Sequence, residues 1–217
     1  MTRQTAVRKS AGNARNNKWQ ARKARARRRW IVGVATGSGV LAIVGVVLGL
    51  HFSSTAASST ADTRMGSSQA IGLVAPNGTL TTTSGQQLSV ASLRGKPTLL
   101  WFVSTWCSSC QAGTQTMAQN VSRLQADGVR VVEVELYQDL GQSGPSISSF
   151  GQQLAGSQYG NSDWTFATSS SALTRTYDPG SYLDIYYLLN AQDRIVYVNG
   201  SPSSTMSNIL AEASKLS

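Results

Sequence analysis

The stretch Thr98-Leu-Leu-Trp-Phe-Val-Ser-Thr-Trp-Cys-Ser-Ser-Cys110 joins an unbroken apolar run to a Cys-x-x-Cys pair. Thr98 to Val103 carries no charge and no alternation, the character of a strand buried on both faces of a sheet. Just beyond the pair, Ser108-x-x-Gln111 fits a capping box, which starts a helix within a residue of Cys107. Met117, Val121 and Leu124 continue it as an apolar stripe, and Asp127-Gly128 ends it. The cysteines therefore sit at a strand-to-helix junction. Unpaired N–H groups of a first helical turn carry partial positive charge, which lowers the pKa of Cys107 and makes it the attacking sulfur. Cys110, one turn on and on the same face, is the resolving thiol. The competing reading is an inert structural bridge, but a two-residue loop removes little unfolded-state entropy.

Around this centre, strand and helix signals alternate. Leu80 to Leu88, broken at Ser84-Gly85, reads as a short hairpin, and Val129 to Leu136 as a second strand. Gly144-Pro145 opens a helix with Ile147, Phe150 and Leu154 on one side, the proline suiting a first turn. A further helix is expected over residues 171–177. Tyr182–Leu189 and Ile195–Val198 flank Asn190-Ala-Gln-Asp193 as an antiparallel hairpin, and Ile209, Ala213 and Leu216 mark a final amphipathic helix. The expected fold class is α/β: a mixed central sheet with helices on both faces.

Two cysteines and one histidine, His51, exclude a four-ligand zinc site within one chain, and no metal or other cofactor is called for. The net charge of +9 resembles a nucleic-acid signal until it is mapped. Eleven of the 19 Lys+Arg lie between Arg3 and Arg29 without an acid among them, leaving 8 Lys+Arg against 10 Asp+Glu elsewhere. The basicity belongs to a tail, and no nucleic-acid partner is expected. Ile31 to Phe52 has no charged side chain and is long enough as a helix to cross a hydrocarbon core of about 30 Å. Arg22 to Arg29 abut its N-terminal end, which places the N-terminus in the cytoplasm.

The expected organisation is a basic cytoplasmic tail (1–29), a transmembrane helix (30–52), a Ser/Thr/Ala-rich tether (53–69) and a folded domain (70–217). The protein is then single-pass in the cell membrane with its domain outside. Two other readings of the front end are a signal peptide cleaved near Ala56-Ala57 and a loose twin-arginine signal at Arg27-Arg28-Arg29. Gly33-x-x-x-Gly37 and Gly45-x-x-x-Gly49 would let two spans pack closely as a homodimer.

From about Ala75 to Leu216 these residues resemble the membrane-anchored thioredoxin-like thiol–disulfide oxidoreductases of the TlpA/ResA type. The parts that carry the resemblance are Ala75-Pro76, Gly95-Lys96-Pro97, Leu99 to Val103, Trp106-Cys-Ser-Ser-Cys110 and the late hairpin from Tyr177 to Asn199. It implies a thioredoxin fold with an N-terminal hairpin. It also implies exported protein thiols and disulfides as substrates, a membrane electron donor or acceptor, and often a part in cytochrome c maturation. The departures are specific. Thioredoxins carry a buried aspartate six residues before the first cysteine, where this chain has Trp101. The glutamate three residues after the second cysteine falls on Gly113, and the helix proline on Gln115.

Where a cis-proline would face the disulfide, the chain reads Tyr182-Leu183-Asp184, and a non-proline cis bond costs about 3 kcal/mol, so a trans peptide is expected. Asp184 in that place would lie near the pair, take over proton transfer to Cys110 and raise the pKa of Cys107 by like-charge repulsion. A strand-end aspartate capping a turn is the plainer reading. Glu133 and Glu135 are alternative relays, although exposed charges on one strand face explain them as well. Trp106 and Leu183 are expected to contact the substrate polypeptide. The candidate catalytic residues are thus Cys107, Cys110 and Asp184. Two rival functions use the same residues differently: a thioredoxin-fold binding or chaperone-like module with a structural disulfide, and a thiol peroxidase.

Overall fold

The computed structural model describes residues 65–217. The expectations for the basic tail, the transmembrane helix and the tether up to residue 64 lie outside the described residues. Among the described residues, no helix is long and apolar enough to cross a membrane.

Seven strands form one mixed sheet: β1 (Thr79–Thr82), β2 (Gln87–Ser89), β3 (Thr98–Val103), β4 (Arg130–Glu135), β5 (Trp164–Ser169), β6 (Asp184–Leu189) and β7 (Ile195–Gly200). Their spatial order is β2-β1-β5-β4-β3-β6-β7. β3, β4 and β5 run parallel, and the remaining pairings are antiparallel. The helices are α1 (Ser108–Ala126), α2 (Ile147–Ala155), α3 (Ser171–Tyr177) and α4 (Pro202–Ala213).

β3 is central and all six of its residues are buried, as its uninterrupted apolar sequence requires. Leu99, Trp101 and Val103 face a core completed by Met117, Val121 and Leu124 of α1, Ile147 and Phe150 of α2, and Ile209 of α4. Leu100 and Phe102 face the opposite core, closed by Val90, Leu93, Leu173 and Tyr177. Phe102 stacks on Tyr177 at 4.8 Å between ring centroids, and Tyr187 meets Tyr177 edge-on.

Three details depart from the sequence expectations. The strand β5 was absent from them, yet it joins the N-terminal hairpin to the parallel strands by pairing with both β1 and β4. Ser146 rather than Pro145 stands at the head of α2, its hydroxyl accepting the Ser149 N–H. The folded part also reaches back to Met65, ahead of the boundary set at residue 70. Met65 is buried, and the Gly66 N–H donates to the Tyr187 hydroxyl at 2.8 Å.

Candidate active site

The parallel strands deliver the first turn of α1 to the sheet's C-terminal edge. Cys107 itself is the N-cap residue, in extended conformation, and its Sγ accepts the Cys110 N–H at 3.4 Å. The expected capping box at Ser108 is therefore displaced by one residue. Gln111, its other half, sends its side-chain amide to the Thr105 carbonyl instead. The Ser109 hydroxyl lies 3.0 Å from Cys107 Sγ. Both cysteines are free thiols, but Cys107 retains 7% of its surface and Cys110 none. A partner's sulfur can reach only the first.

Cys110 is enclosed from the other side. Its thiol donates to the Leu183 carbonyl at 3.0 Å, and the same carbonyl accepts the Ser104 N–H at 3.1 Å. Burial, and after it repulsion from Asp184, pushes the Cys110 thiol far above its ordinary value. A sulfur held so firmly as a thiol needs a base before it can attack.

Asp184 is where that base was expected. It opens β6 opposite Val103, is buried, and accepts the Trp101 indole N–H on Oδ1 at 2.8 Å. Oδ2 has no hydrogen-bond partner, although the Ser109 and Ser201 hydroxyls stand close enough to favour the charged form. Burial outweighs these contacts and raises the carboxyl. Its repulsion is directed at Cys110. Asp184 also contributes, with Tyr182, Gly200 and Ser201, to the lining of a cavity of about 450 Å³.

Two of the departures from the thioredoxin pattern, at Trp101 and Gly113, explain each other. Trp101 fills the space beneath α1, and a Cβ on residue 113 would come within 2.8 Å of its ring, so glycine is needed there. One buried carboxylate of this site, Asp184, stands on β6, tied to β3 through the indole.

Glu133 and Glu135 are not the exposed strand charges of the plainer reading. Glu133, opposite Trp101 on β4, is fully buried; its Oε1 lies 2.7 Å from the Thr114 hydroxyl and its Oε2 accepts the Trp164 indole N–H at 3.2 Å. Burial pushes it up to about 8. Glu135 accepts the Ile147 N–H and is pushed up to about 7, by burial and then by Asp139.

Sequence reasoning also missed two buried aspartates that hold the loops on either side of the pair. Asp139 accepts the Thr105 N–H at 2.8 Å and the Thr105 hydroxyl at 2.6 Å. Its own carbonyl accepts the Trp106 indole N–H at 2.9 Å, fixing that ring beside Cys107 while leaving it 37% exposed. Asp178 holds the loop that ends in Leu183. Leu183, half-buried, and the well-exposed Tyr182 complete the rim. No cis peptide bond occurs among the described residues. Nor, among them, does any group of three His, Cys, Asp or Glu side chains stand ready to hold a metal ion.

Comparison with known proteins agrees with this geometry. Residues 71–142 match the AhpC/TSA family. Thiol-disulfide oxidoreductase ResA of Bacillus subtilis (strain 168) is 27% identical over 133 residues, which are 61% of this chain and 69% of that protein. The soluble secreted antigen MPT53 of Mycobacterium tuberculosis (strain ATCC 25618 / H37Rv) is 34% identical over 86 residues, 39% of this chain and 43% of that protein. Among solved structures, a protein assigned as the thiol:disulfide interchange protein DsbE from Chlorobium tepidum superposes with a TM-score of 0.52 at 18% identity. That match covers 66% of this chain and 96% of the other. One assigned as a protein disulfide isomerase from Bacteroides thetaiotaomicron gives 0.51 at 17% identity, over 67% of this chain and 89% of the other. The chain thus carries a thioredoxin-like domain that matches the AhpC/TSA family over residues 71–142 and has a thiol–disulfide oxidoreductase among its relatives.

Proposed function

We propose that this protein is a thiol–disulfide oxidoreductase acting on exported proteins, held at the cell membrane by a single span with its domain outside. The observation that carries the reading is the inequality of the two sulfurs: one capped by a helix N-terminus and reachable, the other buried and protonated. Cys107 as a thiolate attacks a substrate disulfide, forms the Cys107–substrate bond and releases one substrate thiolate. Cys110 then gives up its proton and attacks the Cys107 sulfur, closing Cys107–Cys110 and freeing the second substrate thiol. Two electrons have passed to the substrate. The unpartnered Oδ2 of Asp184 is the base for that proton. Run backwards, the same steps oxidise a substrate dithiol.

Trp106 and Leu183 form the ledge on which the partner polypeptide lies, Tyr182 extending it. The basic cluster and apolar stretch at residues 22–52 support the membrane placement, and a membrane electron donor or acceptor would reset the pair. Maturation of c-type cytochromes, where exported thiols must be kept in a defined state, is one setting that the sequence resemblance favours. Trapping tests the whole reading. Cys110→Ser should accumulate a mixed disulfide with substrate proteins, and Cys107→Ser should not. The absence of any adduct would favour a binding module, and rapid peroxide-dependent sulfenic acid at Cys107 a peroxidase.

A further inference from the structure

The loop Asp178-Pro-Gly-Ser-Tyr-Leu183 faces the cysteine pair without any proline at its contact point. Its shape depends on Asp178. The carboxylate is buried, Oδ1 accepting the Tyr182 backbone N–H at 2.6 Å and Oδ2 that of Leu183 at 3.3 Å. The Ser181 N–H turns back to the Asp178 carbonyl at 3.2 Å. Ser181 and Leu183 both have left-handed backbones, φ 53 and 71, which a side chain disfavours and which surrounding contacts must hold. Held in this way, the Leu183 carbonyl points at the pair and receives the Cys110 thiol hydrogen.

That last contact depends on the oxidation state. Oxidising the pair removes two electrons and two protons, forms the Cys107–Cys110 bond and leaves Cys110 with no hydrogen to donate. The carbonyl then meets a sulfur lone pair. A contact made in the dithiol and lost in the disulfide favours the dithiol.

We propose that Asp178 is a positioning residue of the redox pair. By fixing the Leu183 carbonyl against Cys110 it biases the pair toward its reduced form and makes it a readier oxidant of protein thiols. The inference rests on the dithiol-exchange reading and adds a direction to it.

The test is the equilibrium of the full chain with glutathione and glutathione disulfide, in the natural sequence, Asp178→Ala and Asp178→Asn. Asparagine keeps an acceptor for the Tyr182 N–H and guards against a variant that fails to fold. Loss of the carbonyl contact should raise the equilibrium constant for oxidation by glutathione disulfide about fivefold, the fold-change of one lost hydrogen bond. Asp178→Asn should fall between the other two. In a Cys107→Ser background the Cys110 S–H stretch should move to higher frequency in the Asp178 variants. An unchanged equilibrium constant beside a lowered melting temperature would make Asp178 merely structural and overturn the proposal, while exchange itself stands. A natural pair that does not equilibrate with glutathione at all would overturn the exchange reading and this inference with it.

Discussion

Replacing Glu133 by glutamine takes one ionisable group out of the middle of the sheet while keeping its shape. The carboxyl is fully buried between Thr114 and the Trp164 indole, and burial lifts it from 4.5 to about 8. A count of hydrogens points the same way. The Thr114 hydroxyl has one proton, yet its oxygen lies 3.0 Å from the Cys110 carbonyl and 2.7 Å from Glu133 Oε1. Both contacts are hydrogen bonds only if Glu133 contributes the second proton. Between the two pKa values the native state keeps a proton that the unfolded chain has released, so stability falls as pH rises. From about pH 5 to about pH 8 the loss from this single group amounts to about 3 kcal/mol. Glutamine is neutral in both states and carries no such slope. Glu135, raised for the same reason, adds a slope of the same sign common to both proteins. Urea unfolding followed by tryptophan fluorescence at about pH 5, 6.5 and 8 measures the difference. The two proteins should have similar stabilities at the acid end and separate by about 3 kcal/mol at the alkaline end, with Glu133→Gln the more stable. Parallel pH profiles would show that Glu133 is ionised in the fold and refute the reasoning.

Two other substitutions probe the site. Asp184→Asn removes the base assigned to Cys110, and single-turnover resolution of a Cys107 mixed disulfide should slow by about 10²-fold while its formation keeps its rate; equal rates of resolution would remove Asp184 from proton transfer. Gly113→Ala pushes a methyl group to within 2.8 Å of the Trp101 ring, which should cost about 1–3 kcal/mol in chemical unfolding and alter the near-ultraviolet dichroism; a fully stable variant would mean that Trp101 moves freely.

Much of this site was legible in sequence because it depends on local signals. A six-residue apolar run that directly follows Gly95-Lys96-Pro97 reads as a strand buried on both faces, and all six residues of β3 are buried. The Cys-x-x-Cys spacing places two sulfurs on one turn, whichever residue caps it. What escaped was set by partners distant along the chain. Glu133 alternates with valines in Val131 to Glu135, which reads as a half-exposed strand until β5 and β3 are known to flank it and α1 to cover it. β5 itself, Trp-Thr-Phe-Ala-Thr-Ser, shades into the serines that follow, and its pairing with β1 lies over 80 residues away. Asp139 and Asp178 sit in segments with the turn-rich composition of ordinary loops. Only their burial, and the backbone N–H groups they hold, distinguish them from solvent-facing turn residues.

The central claim is that Cys107 and Cys110 pass reversibly between dithiol and disulfide. Mass spectrometry of the full chain, after oxidation with glutathione disulfide and again after mild dithiothreitol, measures this directly. The account predicts a loss of two hydrogens that maps to these cysteines and is fully regained on reduction. Thiols that never join, or a bond that dithiothreitol leaves untouched, would contradict it.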